Sequence, residues 1–176
     1  EDAEFMVIGQ CNKDSLEITP SQNLKSGALA GVPFTVVLQP GQVYQAQADS
    51  DLTGSKIVSL NHSETAVIAG SSFDLVGDPA CSTTGNPFYE ELFPVNTWGE
   101  NYVLLPSEYA NDWFRILAEQ NATTITVYGA LTYTVSLNAG QRYDTSIAFS
   151  SPVFVSADKP VSVGRFLASQ SCNNTV

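Results

Sequence analysis

The sequence predicts an all-β protein made of two tandem, internally duplicated antiparallel units that are β-sandwich-like. Short segments rich in β-branched and aromatic residues alternate in polarity, and turn residues separate them at intervals of about 8–12 residues. No long segment has helical periodicity, and a single helical turn at Pro87–Leu92 is the most that is expected. Because the connections are too short for parallel crossovers, antiparallel pairing is predicted.

Blocks of similar sequence recur in the same order in the two halves, which indicates a duplication; generic similarity between β-strands is the alternative. The longest pair shares a Gly-Gln-x-Tyr motif. The matched blocks are Phe5–Ile8 with Phe114–Leu117, Ser15–Ile18 with Thr124–Val127, Phe34–Tyr44 with Tyr133–Tyr143, Val58–Ser59 with Val155–Ser156, and Thr65–Gly70 with Lys159–Gly164. We therefore expect a first β unit at 1–73, an unduplicated junction at 74–113 and a second β unit at 114–176, packed as one compact assembly.

Turn chemistry predicts two hairpin tips in each half. Gly41 and Gly140 occupy matching turn positions, and glycine adopts a positive φ there without strain. The first pair of predicted tips is Gln39–Gln42 and Asn138–Gln141, and the second pair is Asn61–Glu64 and Ala157–Pro160. The first half also carries a longer loop, Thr19–Pro33.

The composition excludes several classes of function. Seven Lys and Arg residues against eighteen Asp and Glu residues give a net charge of −11, which repels the phosphate backbone of nucleic acids. No run of 18 apolar residues is present, so membrane insertion is not expected. The acidic balance, with few Lys and many Ser, Thr, Asn and Gln residues, favours an extracellular or cell-surface location. The second half stops where the first continues, so we expect the chain to be a fragment of a longer tandem protein.

The cysteines and glycosylation motifs fit an extracellular address. Cys11, Cys81 and Cys172 allow three pairings, of which we expect a Cys81–Cys172 disulfide because each of these cysteines follows the last matched strand of its half. Without a Cys-x-x-Cys pair, and with one histidine in the chain, a structural zinc site is not expected. Candidate N-glycosylation sites, each in an N-x-[ST] triplet, are Asn61, Asn121 and Asn173.

The unduplicated junction concentrates aromatic and acidic residues on a segment carried by a repeated scaffold. Tyr89, Glu90 and Glu91 are expected to be exposed and are the candidate ligand-binding residues. Trp98 and Phe93 are instead expected to be buried, as structural residues that fill the junction.

Catalytic chemistry is not predicted, and we do not expect an enzyme. The single histidine, His62, lies on a predicted tip, and side chains adjacent in sequence do not form a triad. Glu90 and Glu91 are adjacent and point apart, so they do not suit glycoside hydrolysis. No cofactor is expected; Asp49 and Asp51 are the candidate Ca²⁺ ligands, with an ordinary turn as the alternative.

Several motifs resemble the N-terminal domain family of the IgG-Fc-binding mucus protein and its bacterial surface-protein relatives. The most specific is Glu90–Gly99, which fits E-[EQ]-L-x-P-V-x-x-W-G, and it is joined by the Gly-Asp-Pro-x-x-Cys loop at Gly77–Cys81. The resemblance continues through Phe114–Val127 and extends from about Gln39 to Cys172. It implies secreted or surface-displayed β modules in large adhesive or mucus-associated proteins.

These observations predict a non-catalytic extracellular adhesion or binding module of a large cell-surface or secreted protein, with a glycan or glycoprotein as its partner. The alternative is a structural subunit of a self-assembling surface fibre or matrix, which binds copies of itself through a neighbour's strand.

Overall fold

The computed structural model describes residues 3–77, 85–105, 112–147 and 152–169, and confirms the all-β prediction. The chain divides into two compact units, one formed by Glu1–Asp74 with Pro87–Leu92 and the other by Leu75–Asn86 with Phe93–Val176. Residues 74–113 are thus divided between the two units. No α-helix occurs in the described ranges; their one helical element is a 3₁₀ turn, Val95–Thr97, so none of their helices could cross a membrane.

The described part of the first unit contains seven strands in two sheets. The four-stranded sheet has the order β4-β1-β6-β7 and the three-stranded sheet the order β3-β2-β5. The strands are β1 (Ala3–Gly9), β2 (Asp14–Thr19), β3 (Phe34–Leu38), β4 (Val43–Ala48), β5 (Lys56–Ser59), β6 (Thr65–Asp74) and β7 (Asn86–Glu91). β7 replaces the single helical turn expected at 87–92, and this segment extends the four-stranded sheet.

Alternate residues of these strands build the core of the first unit. Every second side chain of β1 and β2 points inward, as the two-residue period of a strand requires. The buried apolar residues are Phe5, Val7, Leu16, Ile18, Leu24, Leu38, Ala46, Ala48 and Leu52. Leu24 belongs to the long connection between β2 and β3 and Leu52 to the connection between β4 and β5, so both loops contribute to this core.

In the described residues, the second unit contains six strands that form one sheet. β13 pairs with β10 along its first half and with β9 along its second, and its register against β8 shifts between Ser156 and Val161. The sheet has the order β11-β10-β13-β9-β12, with β8 also paired to β13. The strands are β8 (Gly99–Leu104), β9 (Asp112–Ala118), β10 (Thr123–Tyr128), β11 (Thr132–Leu137), β12 (Arg142–Ile147) and β13 (Val153–Phe166).

Strand pairing follows the same order in the two units. Leu16 pairs with Val36 as Ile125 pairs with Val135, and the β1–β4 and β9–β12 registers also correspond. Two predicted matches are displaced, however. Val7 pairs with Val67 and Ile116 with Val163, so the Thr65–Gly70 block is shifted by two residues; the Val58–Ser59 block is shifted by one. Origin by duplication stays a prediction.

The predicted hairpin tips are not hairpins. Gln39–Gln42 joins β3 to β4, and these strands lie in different sheets; its turn closes with Gln42 N donating to Gln39 O at 2.9 Å. Asn138–Gln141 joins β11 to β12, which are not neighbours in the sheet of the second unit, and Gln141 N donates to Asn138 O at 2.9 Å. Asn61–Glu64 likewise carries the chain between sheets, and Ala157–Pro160 lies inside β13. The same turn residues occur in hairpins and in connections between strands that do not pair. Turn chemistry therefore did not predict which strands each turn joins.

Gly41 and Gly140 have positive φ angles, 78° and 76°, at the same position of these turns. Gly41 N donates to Gly9 O and Gly140 N donates to Ala118 O, so the turns are fixed to the ends of β1 and β9. The glycines therefore set the direction in which the chain enters the next strand.

Asp14 supports the turn that precedes β2. It is fully buried, and its Oδ2 accepts hydrogen bonds from the backbone N–H groups of Gln10 at 2.7 Å and Cys11 at 3.0 Å. The bond from Cys11 is the largest cause of a lowered pKa for Asp14. The corresponding residue of the second unit is Thr123, which is also fully buried and donates to Gln120 O.

Gly41→Val is expected to destabilise the first unit, because a side chain in the left-handed region costs about 1–2 kcal/mol and β-branching adds to this. A Cβ at Gly41 would meet no heavy atom within 4 Å, so the effect is one of backbone strain. Gly41→Asn is the control, since asparagine tolerates this region. Urea unfolding measures both variants, and equal stability of the two would contradict the strain argument.

The Asp14 carboxylate is expected to make stability fall with acid. Because its pKa in the folded state is below the ordinary value of 3.8, its contribution is complete above that value and is lost as the pH falls through the lowered pKa. Unfolding free energies of wild type and Asp14→Asn should therefore differ more at about pH 6 than at about pH 2.5. A difference that does not change with pH would show that the ionised carboxylate contributes nothing.

Candidate functional site

β7 carries the predicted ligand-binding residues and is an edge strand of the first unit. It lies beside β6, and Leu92 N donates to Val67 O at 2.8 Å just beyond its end. Gly70 permits this approach: a Cβ there would lie 1.9 Å from the Phe88 carbonyl oxygen and 2.8 Å from Cδ1 of Tyr89. β7 can thus lie beside β6 only because residue 70 is a glycine and has no side chain.

A buried carboxylate on β1 anchors Tyr89. Glu4, with 7% of its surface exposed, accepts hydrogen bonds from Gln45 Nε2 at 2.5 Å, from Gln47 Nε2 at 2.8 Å and from the Tyr89 hydroxyl. Glu4 faces Gly70 in the β1–β6 register, so Tyr89 reaches across the position that has no side chain. The bond to Glu4 raises the pKa of Tyr89 above its ordinary value of 10.0.

The ring of Tyr89 stays partly accessible although its hydroxyl is bonded. Its side chain is 43% exposed, and Glu90 and Glu91 are also exposed. Successive side chains of a strand point to opposite faces, so Tyr89 and Glu91 share one face while Glu90 points to the other. The structure therefore places two of the three candidate residues together, and this pair offers an aromatic surface beside a carboxylate.

The aromatic residues that follow β7 are more exposed than expected. Phe93 is 77% exposed and Leu92 is 50% exposed, so the prediction that Phe93 is buried is wrong. Trp98 is half-buried rather than fully buried, and its Nε1 donates to Phe93 O at 3.2 Å. This bond and the 3₁₀ turn between the two residues hold the Trp98 ring locally. An aromatic residue in a junction is thus not necessarily in a core.

The predicted calcium ligands have other partners. Asp49 forms an ion pair with Lys25 at 3.1 Å, and Asp51 accepts the Thr53 N–H at 2.8 Å in a local turn. Within the described ranges, no three His, Cys, Asp or Glu side chains come close enough to hold one metal ion. The local turn corresponds to the alternative interpretation given above.

Two of the glycosylation motifs lie in turns. Asn61 is exposed, and its Nδ2 donates to Lys13 O at 3.0 Å; Asn121 is exposed, and its Oδ1 accepts the Ala139 N–H at 3.1 Å. Cys11 is exposed with a free thiol. Asn173 and the expected Cys81–Cys172 disulfide lie outside the described residues.

Comparison with known proteins agrees with the motif around β7. The family described as IgGFc binding protein matches residues 1–176. The chain belongs to this family. It is similar to the human IgGFc-binding protein, with 34% identity over 172 residues, which is 93% of this chain and 3% of the relative. The chain thus spans a small fraction of that relative's length, and no solved structure matches it significantly.

Sequence reasoning missed the residues that hold Tyr89 in place. Glu4 accepts the hydrogen bond from Tyr89 and is itself bonded by Gln45 and Gln47, yet all three are distant from Tyr89 in the chain. A signal was present: Glu4 and Met6 alternate with core residues on β1, and Gln45 and Gln47 do so on the strand paired with it. Polar residues on matching faces of paired strands indicate a shared network.

Gly70→Ala is expected to destabilise the first unit by about 1–3 kcal/mol, because the new methyl group meets the backbone of β7 and the β-strands must separate. Gly164→Ala is the matched control, since its Cβ would lie 3.6 Å from the Phe166 ring, an ordinary contact. Removing a strand glycine there should leave stability unchanged or raise it by about 0.5–1 kcal/mol. Equal losses in urea unfolding would contradict this account of Gly70.

Proposed function

We propose that the chain is an extracellular, non-catalytic binding module whose partner, a glycan or glycoprotein, docks on β7. The observation that supports the proposal most directly is the exposed face of Tyr89 and Glu91 on a strand anchored through Glu4. Aromatic rings provide rigid apolar contact area, and a site fixed by hydrogen bonds loses little conformational entropy on binding.

The chemistry of this face suits a partner that presents hydroxyl or basic groups. Glu91 can accept hydrogen bonds from sugar hydroxyls or pair with a basic side chain, while the Tyr89 ring contacts an apolar surface. Membership of a family described as IgGFc binding makes a glycoprotein such as the Fc fragment a suitable first probe. The net charge of −11 also favours partners that carry little negative charge.

Self-assembly into a fibre or matrix is the second candidate function. An edge strand can pair with a strand of another copy. β7, however, carries Pro87, which has no backbone donor, and the exposed carboxylates of Glu90 and Glu91. These features disfavour pairing of two identical edges, so we rank binding of a different partner first.

Glu91→Gln is expected to weaken binding of the proposed partner, while Glu90→Gln, which makes the same charge change on the opposite face, should leave binding unchanged. The probes are human IgG Fc, the same Fc after enzymatic removal of its glycans, and an immobilised glycan panel, measured by biolayer interferometry. A loss on the order of tenfold is expected for Glu91→Gln.

The comparison of the two Fc forms distinguishes a sugar contact from a protein contact. Sedimentation velocity at rising concentration tests the alternative, because a persistent monomer excludes a self-assembling subunit. If wild type binds none of the probes, or if Glu91→Gln and Glu90→Gln bind them equally well, the partner does not dock on the Tyr89–Glu91 face.

A further inference from the structure

An apolar row lies on the solvent side of the second unit. Tyr128 of β10 pairs with Phe154 of β13, and Phe154 pairs with Val103 of β8, so three side chains stand abreast on adjacent strands. They are 45%, 40% and 64% exposed, and the Tyr128 and Phe154 ring centroids are 5.8 Å apart. The row is separate from the core, into which Val127 and Val155 point.

A row of neutral polar side chains runs beside it. Thr126, Ser156 and Asn101 lie two residues further along the same three strands, about 7 Å away. Ser156 Oγ donates to Asn101 Oδ1 at 2.9 Å, so these two groups already hold a fixed orientation. We call the two rows together, Tyr128, Phe154, Val103, Thr126, Ser156 and Asn101, the Tyr128 face.

The Tyr128 face has no charged side chain, although the chain as a whole carries a net charge of −11. The next outward residue of β13 is Asp158, and its Oδ1 accepts the Thr124 N–H at 2.7 Å. A face of aromatic, hydroxyl and amide groups complements a ligand that is itself uncharged.

The shared strand pairing shows that the fold does not require aromatic residues here. Ile18 pairs with Ile57 in the first unit as Val127 pairs with Val155 in the second, so Thr19 and Lys56 hold the positions of Tyr128 and Phe154. In the adjacent row, Glu17 holds the position of Thr126. The first unit thus folds with polar and charged residues where the second has its apolar row.

We propose that the Tyr128 face binds an uncharged glycan. A hexose ring has one face of C–H groups, which packs against the electron-rich faces of Tyr128 and Phe154. Its hydroxyl groups then lie near Thr126, Ser156 and Asn101, which can donate and accept hydrogen bonds. A few polar groups beside an apolar surface are the usual composition of a small-ligand site, whereas a protein partner would need a larger dehydrated area.

This site is independent of β7 and goes beyond the proposed function, because it places a neutral sugar on the second unit.

The test uses the whole chain and a panel of immobilised neutral oligosaccharides, including N-acetyllactosamine and the β1,4-linked tetramer of N-acetylglucosamine. Sialylated N-acetyllactosamine is the charged counterpart. Saturation-transfer NMR with the free sugars reports whether ring C–H protons contact the protein.

The decisive variant combines Tyr128→Thr with Phe154→Lys, the residues that the first unit carries at these positions. It should retain the melting temperature of wild type and bind the neutral sugars about tenfold more weakly or not at all. Phe93→Lys is the matched control, because it removes an exposed aromatic residue outside the Tyr128 face and should leave binding intact. Phe154→Ser alone serves if the double variant does not fold.

Three results would overturn the proposal. Wild type that binds no neutral sugar at millimolar concentration has no such site, and unchanged sugar binding in the double variant places the site elsewhere. Binding of a deglycosylated protein that the double variant abolishes would make the Tyr128 face a protein interface. Loss of sugar binding in the double variant, with unchanged sugar binding in Glu91→Gln, supports a site on the Tyr128 face. This result holds whether or not β7 binds its own partner.

Discussion

The first unit depends on one constraint: successive strands must deliver alternate side chains to the same core from two sheets. In the first unit the chain crosses between sheets from β1 to β2, from β3 to β4, from β4 to β5 and from β5 to β6. A positive φ angle occurs at each crossing, at Lys13, Gly41, Gly54 and His62. Ala122 and Gly140 have positive φ angles at the corresponding connections of the second unit, from β9 to β10 and from β11 to β12. The left-handed residues therefore belong to the architecture, since they turn the strand from one layer into the other.

Side chains on the outer faces of the sheets do not have to pack in this core. They can therefore include polar groups, such as Glu4 and the residues that donate hydrogen bonds to it. A buried carboxylate is costly unless several donors surround it, and Gln45, Gln47 and Tyr89 supply three. Because one donor comes from β7, the solvation of Glu4 is coupled to the docking of that strand. Binding on β7 would thus act on a strand held by a few identifiable contacts, Gly70 among them.

The sequence predicted the strands better than the way in which they connect. Two-residue alternation identified the core faces, and Gly-Gln-x-Tyr identified matching turns at Gly41 and Gly140. The same turn residues serve hairpins and crossings, so the pairing partners were not predictable from them. The two shifted blocks lie on either side of a connection that is a separate loop in the first unit but part of a continuous strand in the second, so the spacing between the blocks differs.

The site was predictable only in part, for a related reason. Tyr89, Glu90 and Glu91 became candidates because they stand in a segment with no match in the other half, but the contact of Glu4 with Tyr89 depends on the lateral order of β1, β6 and β7. Phe93 was expected to be buried because aromatic residues usually are, and composition alone does not show that it lies past the end of the strand.

Because the two units have the same pairing order, comparing them shows which residue positions the fold constrains and which it does not. Inward positions agree in character, as in Phe5 and Phe114. Outward positions do not: Arg115 pairs with Asp144 at 2.8 Å where the first unit has Met6 opposite Gln45. Since packing does not fix these outward residues, the two units present different outer faces on strands that share one pairing order.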